Sequence, residues 1–271
     1  MDYIWYLLVG VGAGFLGALF GIGGGIILIP SLTLFLQVPI KQAIGASLLS
    51  FMASSCAVVA KKIENNLIHI PVATCIESIT LLFGMLGASL ALYIAPDALM
   101  KIFSIMAIAV AIVMFRFSFT QHLPSQAENI SSIPKLALWH GAYFQEESKT
   151  YILYEVKRKK MLFAISSLVG TASGLLGIGG GMILVPTLTL LAKVPIKVAT
   201  ATSSYTLGLT AWGSSLIFLL NGELVFPLSV LIILGVFLGN YLSIKYFSKI
   251  TSKTLILLFC FLLIVSAIKM W

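Results

Sequence analysis

The feature that most constrains this chain is an internal duplication with a glycine-rich break in each copy. Residues 14–49 align with residues 170–205 at a constant offset of 156, without a gap and with about half the positions identical. Each copy contains the pentapeptide Gly-Ile-Gly-Gly-Gly, at residues 21–25 and 177–181. Four glycines in five positions cannot hold a helix against their backbone entropy, so the chain must break there. The duplication predicts two homologous halves built on one structural unit.

The composition indicates that lipid is the main solvent of this chain. Hydrophobic residues make up 59% of the sequence and charged residues only 10%, and the mean hydropathy is +1.07. A soluble domain carries about 25% charged residues, which it needs for its surface. The net charge of +8 comes from basic residues scattered between apolar segments. Topology signals are distributed in this way, so we expect no nucleic-acid partner.

Six apolar stretches are long enough to cross a bilayer, whose core of about 30 Å needs roughly 20 residues of helix. They are residues 43–60, 70–95, 102–117, 199–220, 226–247 and 255–270. Two further stretches, residues 4–36 and 161–192, are too long for one crossing, and each contains the glycine break. The segment after each break has about 11 residues and reaches only halfway through the bilayer. The predicted fold is an all-α polytopic membrane protein whose halves each contain a Gly-broken hairpin and three transmembrane helices.

A polar segment separates the two halves. Residues 118–160 contain Pro124 and Pro134 and end in the basic run Lys-Arg-Lys-Lys at 157–160. We therefore predict a first transmembrane repeat at residues 1–117, a polar cytoplasmic linker at residues 118–160 and a second transmembrane repeat at residues 161–271. The linker is longer and more polar than the duplication requires, and the sequence assigns it no role.

The distribution of positive charge favours inverted repeats. If each broken segment crosses the membrane once, the 17 lysines and arginines divide ten to seven between the two sides. If each turns back as a hairpin, Lys41, Lys101 and Lys269 lie on one side and the remaining 14 on the other. Positive residues collect in the cytoplasm, so we expect a cytoplasmic linker and both termini outside. Interrupted segments at matching positions in two halves also indicate where a transporter binds its substrate.

The two glycine-rich turns predict an anion site near the membrane midplane. A turn that leads into a helix N-terminus presents several unpaired N–H groups, and the helix dipole adds partial positive charge there. No lysine or arginine lies deep in a predicted span, so these dipoles are the available positive field. The candidate substrate-binding glycines are Gly23, Gly24, Gly25, Gly179, Gly180 and Gly181. The alternative is that the glycines only permit close packing of helices.

Polar side chains in the apolar spans supply the remaining candidates. Ser47, Thr202 and Ser203 are candidate substrate ligands, and Ser47 and Ser203 occupy equivalent positions of the repeat. Hydroxyl groups can donate to an oxyanion without the desolvation cost of a full charge, although they also form hydrogen bonds between helices. Glu77 is the only acidic residue well inside a predicted span, which makes it a candidate for proton coupling. The alternative for Glu77 is a carboxyl that snorkels to the membrane interface.

These residues resemble the sulfite exporter TauE/SafE family of membrane permeases. The resemblance rests on the duplicated Gly-x-Gly-Gly-Gly motif, on Pro30 or Pro186 after the following apolar run, and on the helix start at residues 201–203. The spacing of Gly235 and Gly239 is also similar. The resemblance covers both halves and leaves out residues 118–160. It implies a multi-pass protein of the bacterial cytoplasmic membrane that moves sulfite, sulfonates or related sulfur oxyanions.

The sequence thus predicts a secondary carrier for small anions, with a passive anion channel as the alternative. We do not expect an enzyme, because Glu77 stands alone and the three histidines lie at predicted interfaces or in the linker. We expect no cofactor and no metal site, because the three cysteines have no paired spacing and no clustered histidines. The expected partners are the small anionic substrate and the lipid bilayer, and a homo-oligomer is left open.

Overall fold

The computed structural model describes residues 2–20, 24–64, 67–119, 139–145, 150–246, 261 and 263–271, and the described chain is mostly helical. The first half contains α1 (Asp2–Phe20), α2 (Gly25–Pro30), a π-helical turn π1 (Ser31–Phe35), α3 (Ile40–Glu64), α4 (Ile70–Tyr93) and α5 (Pro96–Phe119). Two strands follow, β1 (His140–Gln145) and β2 (Thr150–Glu155). The second half contains α6 (Lys159–Leu176), α7 (Gly181–Pro186), π2 (Thr187–Leu191), α8 (Ile196–Leu220) and α9 (Phe226–Tyr246). Residues 263–269 are also helical.

The unit predicted from the duplication is present in both halves. In each half a long helix ends in the glycine turn, and a six-residue helix and a five-residue π-helical turn follow it. Gly24 and Gly180 precede the short helices in a left-handed conformation, with φ of 73° and 47°, which glycine adopts without steric cost. Val38 and Val194, at equivalent positions, each donate a backbone hydrogen bond to the carbonyl six residues earlier. The two copies therefore fold alike at the level of single hydrogen bonds.

After each turn the chain doubles back against the helix that precedes it. A Cβ added to Gly24 would contact the carbonyl oxygen of Ala13, in the second half of α1. A Cβ added to Gly180 would lie 3.4 Å from the carbonyl oxygen of Val169, the equivalent residue of α6. Gly24 and Gly180 therefore each lie beside the second half of the helix that precedes them.

Small residues allow the closest helix contacts, as is common where helices pack in membranes. Helix α1 packs along α9, and α6 packs along α4, which is the equivalent pair under the repeat. A Cβ on Gly10 would lie 2.7 Å from the carbonyl oxygen of Ile232, and one on Gly174 would contact the carbonyl of Gly84. Around these contacts lies a continuous apolar core whose largest fully buried side chains include Phe103 and Phe218.

Replacement of Gly14 tests the α1–α9 contact. We expect Gly14→Ala to lower the melting temperature, because its Cβ would lie 2.5 Å from the carbonyl oxygen of Val236. Overpacking of this kind costs about 1–3 kcal/mol. Gly12 on the same helix is the matched control, since an added Cβ there meets nothing within 4 Å. Thermal unfolding in detergent, followed by tryptophan fluorescence, should separate the variants. Equal melting temperatures for Gly14→Ala and Gly12→Ala would contradict the contact.

Three described helices are long and apolar enough to cross a membrane by length and composition. They are Ile70–Tyr93, Pro96–Val113 and Phe226–Ser243, which coincide with three of the six predicted spans. Helices α3 and α8 are equally long, at 25 residues each, but contain lysines and many hydroxyl residues. Of the last predicted span, residues 255–270, the structure describes residues 261 and 263–270. Exposed leucines along α4 are typical of a surface whose solvent is lipid.

The prediction of an entirely helical chain is wrong in the linker. Strands β1 and β2 form an antiparallel hairpin in which His140 lies opposite Glu155. Their aromatic and β-branched residues suit a pleated, half-buried surface, and alternation over so few residues gives a weak signal in the sequence. Helices α5 and α6 also extend into the predicted linker, to Phe119 and from Lys159. The linker thus contains folded structure next to the second half.

Candidate functional site

The second glycine turn lies against α2 and α3 of the first half. The hydroxyl group of Ser47 donates to the carbonyl oxygen of Gly177 at 2.7 Å. A Cβ added to Gly25 would lie 2.5 Å from the same carbonyl oxygen and 2.6 Å from the Ser47 hydroxyl. The structure therefore brings the predicted candidates Gly25 and Ser47 into contact with the opposite turn. The Ser47 hydroxyl hydrogen is used by this contact and is not free for a ligand in this conformation.

The aromatic ring of Phe51 covers Gly179. This glycine has φ of 72°, and a Cβ added to it would overlap the Phe51 ring. The N–H of Gly181 donates back to the carbonyl of Gly179 within the turn. Two of the predicted substrate-binding glycines thus serve the internal packing and hydrogen bonding of the turn. The sequence raised the alternative that the glycines only permit close packing. In this conformation Gly179 and Gly181 are used in that way.

A small cavity lies beside Gly180. Its volume is about 10 Å³, which is the minimum that holds a water molecule. It is lined by Met106, Val110, Ala172, Ser173, Ile178, Gly180 and Ile183. The Ser173 hydroxyl is fully buried and has no hydrogen-bond partner among the described residues. Since a buried hydroxyl without a partner is costly, Ser173 is available to a water or a ligand in this cavity.

The short helices begin at the same place in both turns. The carbonyl of Gly180 accepts from the N–H groups of Ile183 and Leu184 at 3.0 Å, and the carbonyl of Gly24 accepts from the equivalent residues at 3.0 Å. The first N–H groups of such a helix precede its own hydrogen-bond ladder and need other partners. In the second turn Gly181, Ile183 and Leu184 find these partners in the Gly179 and Gly180 carbonyls, beside the cavity that Ser173 lines. Gly23 lies outside the described residues.

Thr202 and Ser203 are buried on α8, where their hydroxyl groups have other partners. The Ser203 hydroxyl donates to the carbonyl of Thr200 at 3.2 Å, within its own helix. The Thr202 hydroxyl oxygen accepts from the backbone N–H of His69 at 3.3 Å. Under the offset of 156, Ser203 is equivalent to Ser47 and Gly21 is equivalent to Gly177. The contact equivalent to Ser47–Gly177 would therefore join Ser203 to Gly21, which is outside the described part of the chain. A substrate-binding role for Thr202 and Ser203 therefore remains a prediction.

Glu77 lies inside the helix bundle. Its side chain is 7% exposed, and neither carboxyl oxygen has a hydrogen-bond partner within the described residues. Thr210 of α8 is close to the carboxyl group, but its hydroxyl is bonded to the Thr80 hydroxyl at 2.9 Å and to the Thr206 carbonyl at 3.1 Å. A carboxyl so enclosed does not snorkel to an interface in this structure. Ionisable groups held in this way in membrane proteins are candidates for proton transfer.

A row of buried hydroxyl groups continues from Glu77 along the contact of α4 and α8. It consists of Thr202, Thr206, Thr210 and Ser214, spaced four residues apart on α8. Thr210 contacts Thr80 of α4, and Ser214 borders Gly84. Sequence reasoning missed Thr206, Thr210, Ser214 and also Ser173. The four-residue spacing was a visible signal for the row on α8, whereas Ser173 aligns with Gly17 and so leaves no trace in the duplication.

The described part of the chain contains no group of three or more His, Cys, Asp or Glu side chains placed to hold a metal ion. Cys56 is a free cysteine with an exposed side chain, and Cys75 is a free, half-buried cysteine. Among the described residues, the buried polar side chains are hydroxyl residues together with Glu77, His69 and Asn240.

Comparison with known proteins agrees with the geometry of a membrane transporter. Residues 6–270 match the family described as sulfite exporter TauE/SafE. The chain is 28% identical over 276 residues to the probable membrane transporter protein YunE of Bacillus subtilis, covering 97% of this chain and 95% of that protein. It is 27% identical over 264 residues to the probable membrane transporter protein MJ0441 of Methanocaldococcus jannaschii, covering 92% of this chain and 88% of that protein. No solved structure matches the chain.

The family match extends over both repeats and the linker, so the resemblance inferred from the glycine motifs is confirmed. Two relatives named as probable membrane transporters align along almost the whole chain. A small-molecule substrate and a surrounding lipid bilayer follow from this relationship. The chain belongs to the sulfite exporter TauE/SafE family of membrane transporters.

Proposed function

We propose that this chain is a secondary carrier that moves small oxyanions, sulfite or small sulfonates, across the cytoplasmic membrane and binds them between its two glycine turns. The contact of the Ser47 hydroxyl with the Gly177 carbonyl, at 2.7 Å, carries the proposal because it joins the second turn to the first half. A passive anion channel is the alternative, and an enzymatic activity has no catalytic pair to support it.

The chemistry of the turn beside Gly180 suits an oxyanion. In this conformation the N–H groups of Gly181, Ile183 and Leu184 donate to the Gly179 and Gly180 carbonyls. When the turn opens, these groups and the unpartnered Ser173 hydroxyl beside them can together donate to a ligand. Hydrogen bonds from such donors to a charged oxygen are stronger than those between neutral groups. A trigonal or tetrahedral oxyanion offers several acceptor oxygens to such a convergent set of donors. Sulfite and sulfonates fit this description, and the family description names sulfite.

The closed state of the turn favours a carrier over a channel. Residues 177–181 are all buried, and the cavity of about 10 Å³ beside them has room for one water molecule at most. An anion can enter only if Met106 and Val110 of α5 or the turn itself move. A site that opens by movement of one part of the bundle against another is the arrangement expected for alternating access.

Contacts between α3 and α8 support an inverted relationship between the halves. Gly45 near the start of α3 packs on Phe218 near the end of α8. Ser55, later in α3, donates to the carbonyl of Ser204 and packs on Gly208. The two helices therefore run antiparallel, as equivalent helices do when an axis in the membrane plane relates two repeats.

Reporter fusions test this topology. We expect a reporter fused after Trp271 to lie outside the cell and one inserted near Gln126 to lie in the cytoplasm. The expectation follows from the 14-to-3 division of positive charge. The Lys41 ammonium donates to the Leu92 carbonyl at 2.6 Å, and Lys269 lies 5.8 Å from the Phe35 ring centre, as expected if these two lysines share one side. Alkaline phosphatase and a cytoplasmic fluorescent protein report the two locations. Finding both reporters on one side would contradict inverted repeats.

Counterflow in proteoliposomes tests the carrier proposal. Liposomes that contain the purified protein and excess unlabelled sulfite should transiently accumulate labelled sulfite above its external concentration. A channel would only equilibrate the label. A panel with small sulfonates, sulfate and chloride, each with and without a pH gradient, identifies the substrate class and the coupling. Protein-free liposomes are the control. Absence of protein-dependent flux for every oxyanion would refute the proposed substrate class, and flux without counterflow would support the channel.

A further inference from the structure

The β-hairpin of residues 140–155 packs against a histidine at the N-terminal end of α4. His69 precedes α4 and is 4% exposed. Its Nδ1 accepts from the backbone N–H of Val72 at 3.3 Å, which caps the helix. Its Nε2 lies 3.1 Å from the carbonyl oxygen of His140. A carbonyl only accepts, so Nε2 carries the hydrogen and Nδ1 is bare. These two contacts together require a neutral imidazole with one defined tautomer.

Further contacts join the same histidine to three elements of the fold. The ring of Tyr154 meets the His69 ring edge to face, with 5.7 Å between the ring centres. A Cβ added to Gly141 would lie 2.5 Å from Cδ2 of His69. The backbone N–H of His69 donates to the Thr202 hydroxyl on α8. His69 is thus the point at which α4 of the first half, the hairpin and α8 of the second half meet.

We propose that His69 is a pH-sensitive latch that holds the 140–155 hairpin against the start of α4. Protonation places a hydrogen on Nδ1, which can then no longer accept from the Val72 N–H. It also places a positive charge at the N-terminus of α4, where the helix dipole is already positive. A charged ring is also costly in this buried place, where Gly141 and Tyr154 of the hairpin pack on it, so the hairpin is released when His69 becomes charged.

The direction of the pH dependence follows from the environment of the ring. Burial lowers the pKa of His69 below its ordinary value of 6.5, and the hydrogen bond to His140 acts in the opposite direction. Docking is therefore at full strength above about pH 6.5. Docking weakens as the pH falls, because the undocked state takes up the proton first. Each unit between the docked and undocked pKa values weakens docking about tenfold.

Other titratable groups lie on the elements around this contact. On the hairpin, burial and then the neighbouring Tyr143 raise the pKa of Tyr154, so its phenol stays neutral. Glu155 is paired in register with His140, and both are exposed. On α8, Tyr205 packs against the cluster that contains Ile68 and Ala73. Farther along α4, about two turns from His69, lies Glu77. His140 is therefore the group that an experiment must separate from His69.

The latch adds a regulatory element to the transporter that does not depend on the substrate. The docked hairpin contacts His69 at the start of α4 in the first half. The chain that follows it is tied to the second half by a hydrogen bond of 3.0 Å from the Lys157 N–H to the Ala192 carbonyl after π2. A segment attached to both halves restrains their relative movement, on which alternating access depends. Release of the hairpin at low pH on its own side removes that restraint.

Spin labelling of the hairpin tests the latch without any transport measurement. A label at Glu155→Cys, in the full chain with Cys56, Cys75 and Cys260 replaced by alanine, reports hairpin mobility from pH 8 to pH 5.5. We expect the mobile fraction to rise severalfold as the pH falls below about 6.5. His69→Asn keeps a cap acceptor for the Val72 N–H but cannot titrate, so its spectrum should be independent of pH. Gly141→Ala should be mobile at every pH.

The remaining histidines provide the matched control. The double variant His122→Gln/His140→Gln keeps the His140 carbonyl and should keep the pH transition of the parent. Loss of the transition in this double variant would assign it to another histidine and overturn the proposal. A parent spectrum that does not change with pH, or a transition that persists in His69→Asn, would overturn it equally. None of these outcomes depends on whether the substrate is sulfite, so the latch and the carrier proposal are judged separately.

Discussion

Glu77→Gln should abolish proton-driven accumulation of the anion while leaving counterflow exchange intact. The carboxyl is 7% exposed and has no hydrogen-bond partner among the described residues, so its proton is the exchangeable group in this part of the bundle. Glutamine keeps the shape and cannot exchange a proton. In an electroneutral cycle with one proton per anion, one pH unit supports about tenfold accumulation. The variant should reduce that ratio to about one, whereas exchange of bound anion needs no net proton movement.

Uptake of labelled anion into proteoliposomes with an imposed pH gradient measures this effect. Glu223→Gln is the matched control, because Glu223 lies in the loop between α8 and α9, outside both helices, and should accumulate anion as the parent does. Thermal unfolding of the purified variants checks that Glu77→Gln remains folded. Undiminished accumulation by Glu77→Gln would assign Glu77 to structure and place the coupling elsewhere.

Gly180→Ala and Ser173→Ala should each weaken anion binding by about 10- to 150-fold. Each removes or displaces one donor to a charged acceptor, which costs roughly 1.5–3 kcal/mol, and each 1.4 kcal/mol corresponds to about one decade of affinity. The Cβ at Gly180 would meet the Cγ1 atom of the movable Val169 side chain at 2.6 Å, so the strain there comes mainly from the φ of 47°. At Gly24 it would meet the backbone of Ala13 instead. Gly24→Ala is therefore expected to impair folding before it reports on binding.

Ser173→Ala separates binding from stability. Its hydroxyl is buried without a partner among the described residues, so its removal should leave the melting temperature unchanged or higher. Binding should fall in the same variant. Ser214→Ala is the matched control, because Ser214 is also buried and unpartnered within the described chain but borders Gly84 on the α4–α8 contact. Equal losses of affinity in both serine variants would indicate a general effect on packing rather than a ligand at the turn.

The sequence predicted the helix break in each half because its cause is local. Glycines at matching positions force a break and permit the left-handed residues Gly24 and Gly180, and the same offset reproduces the cap in both halves. The partner of the Ser47 hydroxyl, in contrast, depends on how the halves pack. A hydroxyl can bond a ligand, its own helix or another helix, and spacing in one chain does not distinguish these uses.

The parts that sequence reasoning missed lack a repeated or periodic signal. Ser173 has Gly17 as its counterpart, so the duplication does not identify it. The hairpin of residues 140–155 has two short strands of six residues inside a polar segment, and the helical halves on either side dominate the pattern. The enclosure of Glu77 depends on α8, which packs beside α4 only in the folded bundle.

Calorimetric titration of sulfite into the purified parent protein, Gly180→Ala, Ser173→Ala and Ser214→Ala tests most directly whether the anion binds at the glycine turns. The proposed site predicts saturable binding to the parent and to Ser214→Ala, and affinities lower by about 10- to 150-fold in Gly180→Ala and Ser173→Ala. Small sulfonates titrated into the same four proteins should follow the same order. Undiminished affinity in both Gly180→Ala and Ser173→Ala would contradict the account, because the turn would then serve packing alone and the anion would bind elsewhere.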